Sequence, residues 1–194
     1  MFGSLIYRWL FPTHDAGAAV VRRVGRAVPS AMFRALPALG CVLYMPMPPM
    51  PLPWRASGMA RGLLVDDVQL MPLLQVRWLV AATVVTTDGP REWLDCLDAR
   101  GALCARLYLL PDTDYVAWDA LLPLDDGVAP CLLPCLSQHL RPVSAQCVRF
   151  RSRRLAGLSV LGVDASTCLS PLGRQLANRV ARAEALTLQA IPRH

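Results

Sequence analysis

The sequence predicts an α+β domain: an antiparallel β-sheet core flanked by N- and C-terminal helices. Three observations predict it. The middle of the chain is rich in valine and threonine and cut by turn residues. Apolar residues recur at helical spacing near both ends. No internal repeat or linker divides the 194 residues, so one domain over 1–194 is the simplest account.

Residues 16–28, "AGAAVVRRVGRAV", place Val20, Val24 and Val28 on one helical face, with Thr13 or Asp15 as N-cap. Arg22, Arg23 and Arg26 fall largely opposite, either as a solvated face or as a contact for an acidic partner. A second short helix is expected over 30–36, stopped by Pro37. "ALGCVLYM" (38–45) reads as a buried strand. "MPMPPMPLPW" (45–54) carries five prolines. Proline fixes φ and removes donors, so this run predicts extended loop, not ladder strand. Met45, Met47 and Met50 are soft side chains that line a hydrophobic ligand or fill packing gaps.

From Leu63 the pattern turns to β through "LLVDDVQLMPLLQ" and "VRWLVAATVVTT" (76–87), ended by Asp88-Gly89-Pro90. "EWLDCLD" pairs with "ALCARLYLL" across Ala99-Arg100-Gly101, whose glycine supplies a positive φ. After Pro111, Asp112 or Thr113 caps a helix through about Leu122 that buries Val116, Ala120 and Leu121. Region 123–142 is broken by proline and gives no assignment. "AQCVRFRSRRLAGLSVLGV" (145–163) reads as two strands. A last helix begins at Ser170-Pro171, with Leu172, Leu176, Val180 and Ala183 as its apolar stripe.

Composition narrows the function. Hydrophobic residues make up 54% of the chain and charged ones 18%, which excludes a disordered polar chain. The net charge of +6 comes from arginine alone, because lysine is absent. That is either base-composition bias or an anion-binding surface, since guanidinium pairs bidentately with carboxylate and phosphate. No run of 18 apolar residues is free of charge, so no membrane span is expected. The N-terminus lacks a basic n-region, and the seven cysteines follow no framework spacing. Reduced thiols in a cytoplasm are therefore expected.

Hydrolytic or nucleotide chemistry finds no support. Histidine is limited to His14, His139 and His194, and no nucleophile elbow or phosphate-cradling glycine loop is present. Cys131, Cys135 and His139 form C-x3-C-x3-H, with Cys147 further on. These are zinc-ligand types at a non-standard spacing, read mainly as small core thiols. His139 is the natural candidate if a metal or haem is bound. Arg149, Arg151 and Arg153 recur at period two, which on a strand gives one guanidinium row about 7 Å apart. Such a row is an exposed sheet face, or it binds propionates, phosphates or nucleic acid. Nucleic-acid readers interleave stacking aromatics, and only Phe150 lies here, on the other face. Nucleic acid is the least favoured partner.

Over 38–122 the order of motifs resembles the haemin-utilisation proteins of the HemS/ChuX type, which include the haemin-degrading factors. The residues that carry the likeness are Leu39-Gly40-Cys41-Val42, "RGLLVDDVQLMPLL" (61–74), Trp78, the hairpin "CLDARGALCARLYLL", and "TDYVAWDALL". The resemblance implies one copy of that family's repeat, haem as cofactor, and a cytoplasmic bacterial protein that binds or hands on haem. In the family, oxidative ring opening is carried by the haem iron and an electron donor. Ala105-Arg106 stands where the family hairpin has His-Lys, so the positive charge is kept and the imidazole is not. The implied axial ligand is then His139, Met45, Met47 or Tyr108. The implied propionate partners are Arg106, Arg149, Arg151 or Arg153, with the apolar loop 45–54 against the porphyrin. A homodimer would rebuild the two-repeat arrangement of many relatives. The alternative reading is a ligand-free relative acting as an interaction or regulatory protein.

Overall fold

The computed structural model describes residues 20–48, 62–86, 89–121, 141–165 and 169–189. Its strands are β1 (Val20–Arg26), β2 (Cys41–Pro46), β3 (Leu63–Val65), β4 (Trp78–Thr86), β5 (Gly89–Leu97), β6 (Leu103–Tyr108), β7 (Ala145–Leu155), β8 (Leu158–Ala165) and β9 (Leu188–Gln189). The helices are α1 (Pro29–Ala35), α2 (Tyr115–Leu121) and α3 (Pro171–Ala183). Two 3₁₀ segments, Leu36–Leu39 and Val68–Gln75, complete the described elements.

These strands form one sheet in the order β1-β4-β5-β6-β2-β7-β8-β3, with β9 beside β7. Neighbours run antiparallel, except that β3 is parallel to β8 and β9 to β7. The predicted α+β class with an antiparallel sheet core is what is observed.

Turn chemistry positions the middle of the sheet. Asp98 Oδ1 accepts from Arg100 N and Ala102 N, each at 2.8 Å, and Gly101 takes φ +82°. This closes the β5–β6 hairpin read from the sequence. The β7–β8 hairpin turns through Ala156 and Gly157, both at positive φ, a two-residue loop whose twist matches the strands.

One sheet face packs under α1, α2 and the two 3₁₀ segments, and holds Phe33, Leu73, Tyr44, Leu107, Trp118 and Phe150. Period-two alternation sends Cys41, Leu43, Met45, Tyr108 and Cys147 to the opposite face, where Ala177, Val180 and Ala181 of α3 cover them. α3 starts where predicted, with Ser170 Oγ accepting from Gly173 N at 3.0 Å and Pro171 in the first turn.

Several elements differ from expectation. Residues 20–26 form an edge strand on β4, from Val20 opposite Val84 to Arg26 opposite Trp78, and not a helix. Three valines and Gly25 disfavour helix, and the open β4 edge offers a ladder. Residues 68–75 are 3₁₀, not strand, capped by Asp67, whose Oδ1 accepts from Gln69 N at 2.8 Å. Pro72 lies inside that turn and could not donate to a ladder.

The methionine-proline run begins within the sheet. Pro46 ends β2 opposite Ala105, and Met47 N donates to Cys104 O. Residues 49–54 lie outside the described residues. α2 is capped by Asp114, whose Oδ1 accepts from Ala117 N, not by Asp112 or Thr113. It buries Trp118 and Leu121 and leaves Val116 and Ala120 exposed. In α3 the buried stripe is Gly173, Ala177, Val180 and Ala181, so Leu172 faces outward.

Candidate functional site

Two clusters of charge occupy the α3 face of the sheet. The first lies across β5 and β6. Arg106 Nε donates to Asp95 Oδ1 at 2.6 Å and its Nη1 donates to Glu184 Oε1 at 2.9 Å. Tyr108 Oη donates to the same Glu184 oxygen at 2.8 Å, and Trp93 Nε1 donates to Asp95 Oδ2 at 3.2 Å. The guanidinium carbon lies 5.6 Å from the Trp93 ring centre and 5.9 Å from that of Tyr108.

Burial opposes the charge on Arg106, but Asp95, Tyr108 and Glu184 outweigh it and raise its pKa well above the ordinary value. Burial, with Glu184 adding to it and Arg106 opposing it, likewise raises the Tyr108 phenol well above its usual range. The arrangement ties the C-terminal end of α3 to the central strands. Its donors are directed at Asp95 and Glu184, and the phenol is held protonated.

The second cluster is the guanidinium row on β7. Arg149, Arg151 and Arg153 are exposed and share one face, as their spacing predicts. Arg151 is ion-paired to Asp66 at 3.1 Å and to Asp164 at 3.3 Å. Asp66 reaches this position because Gly162, opposite Arg151, has no side chain; a Cβ there would fall 2.7 Å from the Asp66 carboxyl carbon. Arg149 and Arg153 form no ion pair among the described residues, so their guanidinium groups face solvent.

Arg174 of α3 acts on the same region from the side. Burial, then the neighbouring Cys41 and Asp112, push the Cys147 thiol up to about 12, and the Arg174 charge opposes them. An open groove of about 400 Å³ runs along α3, lined by Leu169, Pro171, Arg174, Gln175 and Asn178.

The other candidates are distributed as follows. Met45 and Met47 are buried, 0% and 2% exposed. His14, Cys131, Cys135, His139 and His194 lie outside the described residues. Cys147 is a buried thiol, and no group of three or more metal-ligating side chains forms among the described residues. The structure thus gathers Arg106 and Tyr108 around Glu184, and it sets Arg149 and Arg151 on one strand face.

Sequence reasoning missed Asp95, Trp93 and Glu184. Asp95 had a signal: counting back from the Asp98–Ala102 turn places it close to Arg106, with a bulge at Cys96–Leu97 setting the final register. Glu184 had none, because it meets Arg106 from 78 residues away.

No protein-family model matches this sequence, and no curated protein matches it.

Proposed function

We propose that this chain binds or hands on haem in the cytoplasm, as a single-repeat relative of the HemS/ChuX type. One observation supports this reading most. The first and last of the stretches that carry the resemblance are hydrogen-bonded to each other. Asp114 N donates to Leu39 O at 2.8 Å, Cys41 N donates to Asp112 O at 3.3 Å, and Thr113 Oγ1 donates to Cys41 O at 2.6 Å. Gly40, at φ +71°, makes that contact possible, since a Cβ there would fall 3.1 Å from Asp112 O. Motifs whose bonded residues Cys41 and Thr113 lie 72 apart in sequence thus belong to one structural unit, as a repeat requires.

The residues fit haem in one respect and not in another. Arg149 and Arg153 are solvent-facing guanidinium groups suited to propionates. Met45, Met47 and Tyr108 do not suit iron, because the thioethers are packed in the core and the phenol is spent on Glu184. Arg106 is likewise engaged by two carboxylates. The axial ligand in this reading is therefore His139, and no chemical step through iron follows from the described residues.

The internal engagement of Arg106, Tyr108, Met45 and Met47 also favours a second reading, a ligand-free interaction protein. Haemin titration separates the two. Haem binding predicts a saturable Soret shift at micromolar haemin, weakened by Arg149→Ala with Arg153→Ala and altered in position by His139→Ala. A flat titration leaves the ligand-free reading. A shift that survives His139→Ala unchanged removes only the axial assignment.

A further inference from the structure

The tip of the β7–β8 hairpin carries a feature that the haem reading, which draws on Arg153 of this hairpin, does not use. From Arg151 through Leu158 every residue is exposed, on both faces of the hairpin. Side chains on one face follow an order. Arg149, Arg151 and Arg153 alternate along β7, and Leu155 follows at the same period, directly opposite Leu158. Leu64 of β3 stands opposite Val160, two residues along β8 from Leu158, and so joins this face. Leu155 is 56% exposed, Leu64 40% and Leu158 37%. Arg154 points from the other face beside the same tip.

Leucines at the tip with arginines behind them match the polarity gradient of a membrane interface. Apolar side chains enter the acyl boundary, and the long arginine stems keep their guanidinium groups at the phosphates. A duplex or single strand of nucleic acid asks for the opposite order, with polar or aromatic groups at the leading edge. Here the only aromatic residue of the hairpin, Phe150, is in the core. A second copy of the chain fits less well, because three leucines and a two-residue turn fall far below the roughly 800 Å² per partner of a stable interface. The turn itself suits a rigid leading edge, since Ala156 at φ +47° and Gly157 at φ +83° close it in two residues.

We infer that the β7–β8 hairpin docks the protein on an anionic lipid surface, with Leu155 and Leu158 inserted and Arg153 and Arg154 at the headgroups. Arg151 is already paired with Asp66 and Asp164, so the attraction comes mainly from its neighbours.

The test is co-sedimentation of the full chain, without haemin, with two vesicle types: phosphatidylcholine alone, and phosphatidylcholine with phosphatidylglycerol. Binding is expected only to the anionic vesicles and should fall steeply with added salt. Leu155→Asp with Leu158→Asp should lower the apparent affinity about tenfold or more. Arg153→Ala with Arg154→Ala should lower it to a similar extent, and circular dichroism establishes that both variants fold. The proposal is overturned by no binding to either vesicle, by equal binding to both, or by binding that neither variant changes. Retention of single- or double-stranded DNA by the arginines, with no vesicle binding, would assign the hairpin to nucleic acid instead.

Discussion

Asp95 and Arg106 stand directly opposite each other on β5 and β6, and the Arg106 Nε donates to Asp95 Oδ1 at 2.6 Å. Asp95 is 2% exposed, so that guanidinium, and not bulk water, is what its carboxylate faces. Removing one partner of a buried pair leaves the other uncompensated, which costs about 3–5 kcal/mol. Because Glu184 still pairs with Arg106, Asp95→Asn is expected to lose stability at the lower end of that range, about 3 kcal/mol. Glu184→Gln, at the wetter end of the same cluster, should lose about 1 kcal/mol or less. Urea unfolding followed by circular dichroism measures both. Equal losses would mean that Asp95 is not the principal partner of Arg106.

Asp112 occupies the space beside Gly173 that a Cβ would fill, and its oxygens accept from Ser170 N at 2.8 Å and from Ser170 Oγ at 3.0 Å. In a free helix Gly→Ala stabilises by about 1 kcal/mol. Here Gly173→Ala should instead destabilise, by about 1–3 kcal/mol, because it displaces that carboxylate. Asp112→Ala removes both the hydrogen bonds and the clash. The double variant should therefore be more stable than the sum of the two single losses predicts, and a double-mutant cycle reads the coupling. Strict additivity would show that the two residues do not compete for the same space.

Thr113 is buried, and its hydroxyl serves two backbone groups at once. Leu110 N donates to it at 2.9 Å, and it donates to Cys41 O at 2.6 Å. Thr113→Val keeps the shape and leaves a buried N–H and C=O without this partner, at about 1–3 kcal/mol. Thr113→Ser should retain most of that stability. A Thr113→Val protein as stable as wild type would show that water takes over both groups.

Alkaline pH should unfold the protein through its thiols. Burial, with Asp98 adding to it, pushes the Cys104 thiol up to about 12, and Cys147 reaches about 12 in the same way. The unfolded chain ionises these groups near the ordinary value of 9.0. Above that pH the unfolded state binds fewer protons than the folded state, so the stabilisation present below pH 9 is lost as pH rises toward 12. Each thiol steepens the loss by about 1.4 kcal/mol per pH unit at most. Urea midpoints between pH 8 and 11 should fall, and Cys104→Ala with Cys147→Ala should flatten the fall. An unchanged slope in that variant would assign the loss to other groups.

Much of the fold was legible because its signals are local. The β5–β6 hairpin follows from Asp98 and Gly101, whose turn chemistry acts within five residues. The start of α3 follows from Ser170-Pro171, since a side-chain cap and a proline with no amide to lose both act inside the first turn. The row Arg149, Arg151 and Arg153 follows from strand alternation alone.

What the sequence by itself determined, then, is the α+β class, two hairpins, the existence of short helices near 30–36 and up to about Leu122, and the outward arginine row. Tertiary structure decided the rest. Residues 20–26 became a strand because β4 offered an edge that the four-residue spacing of Val20, Val24 and Val28 could not reveal. Arg106 is a propionate candidate by sequence, but the fold brings Glu184 to it from the end of α3 and Asp95 from across the hairpin. Periodicity records which face a side chain takes, and only packing between distant segments determines which charge it meets there.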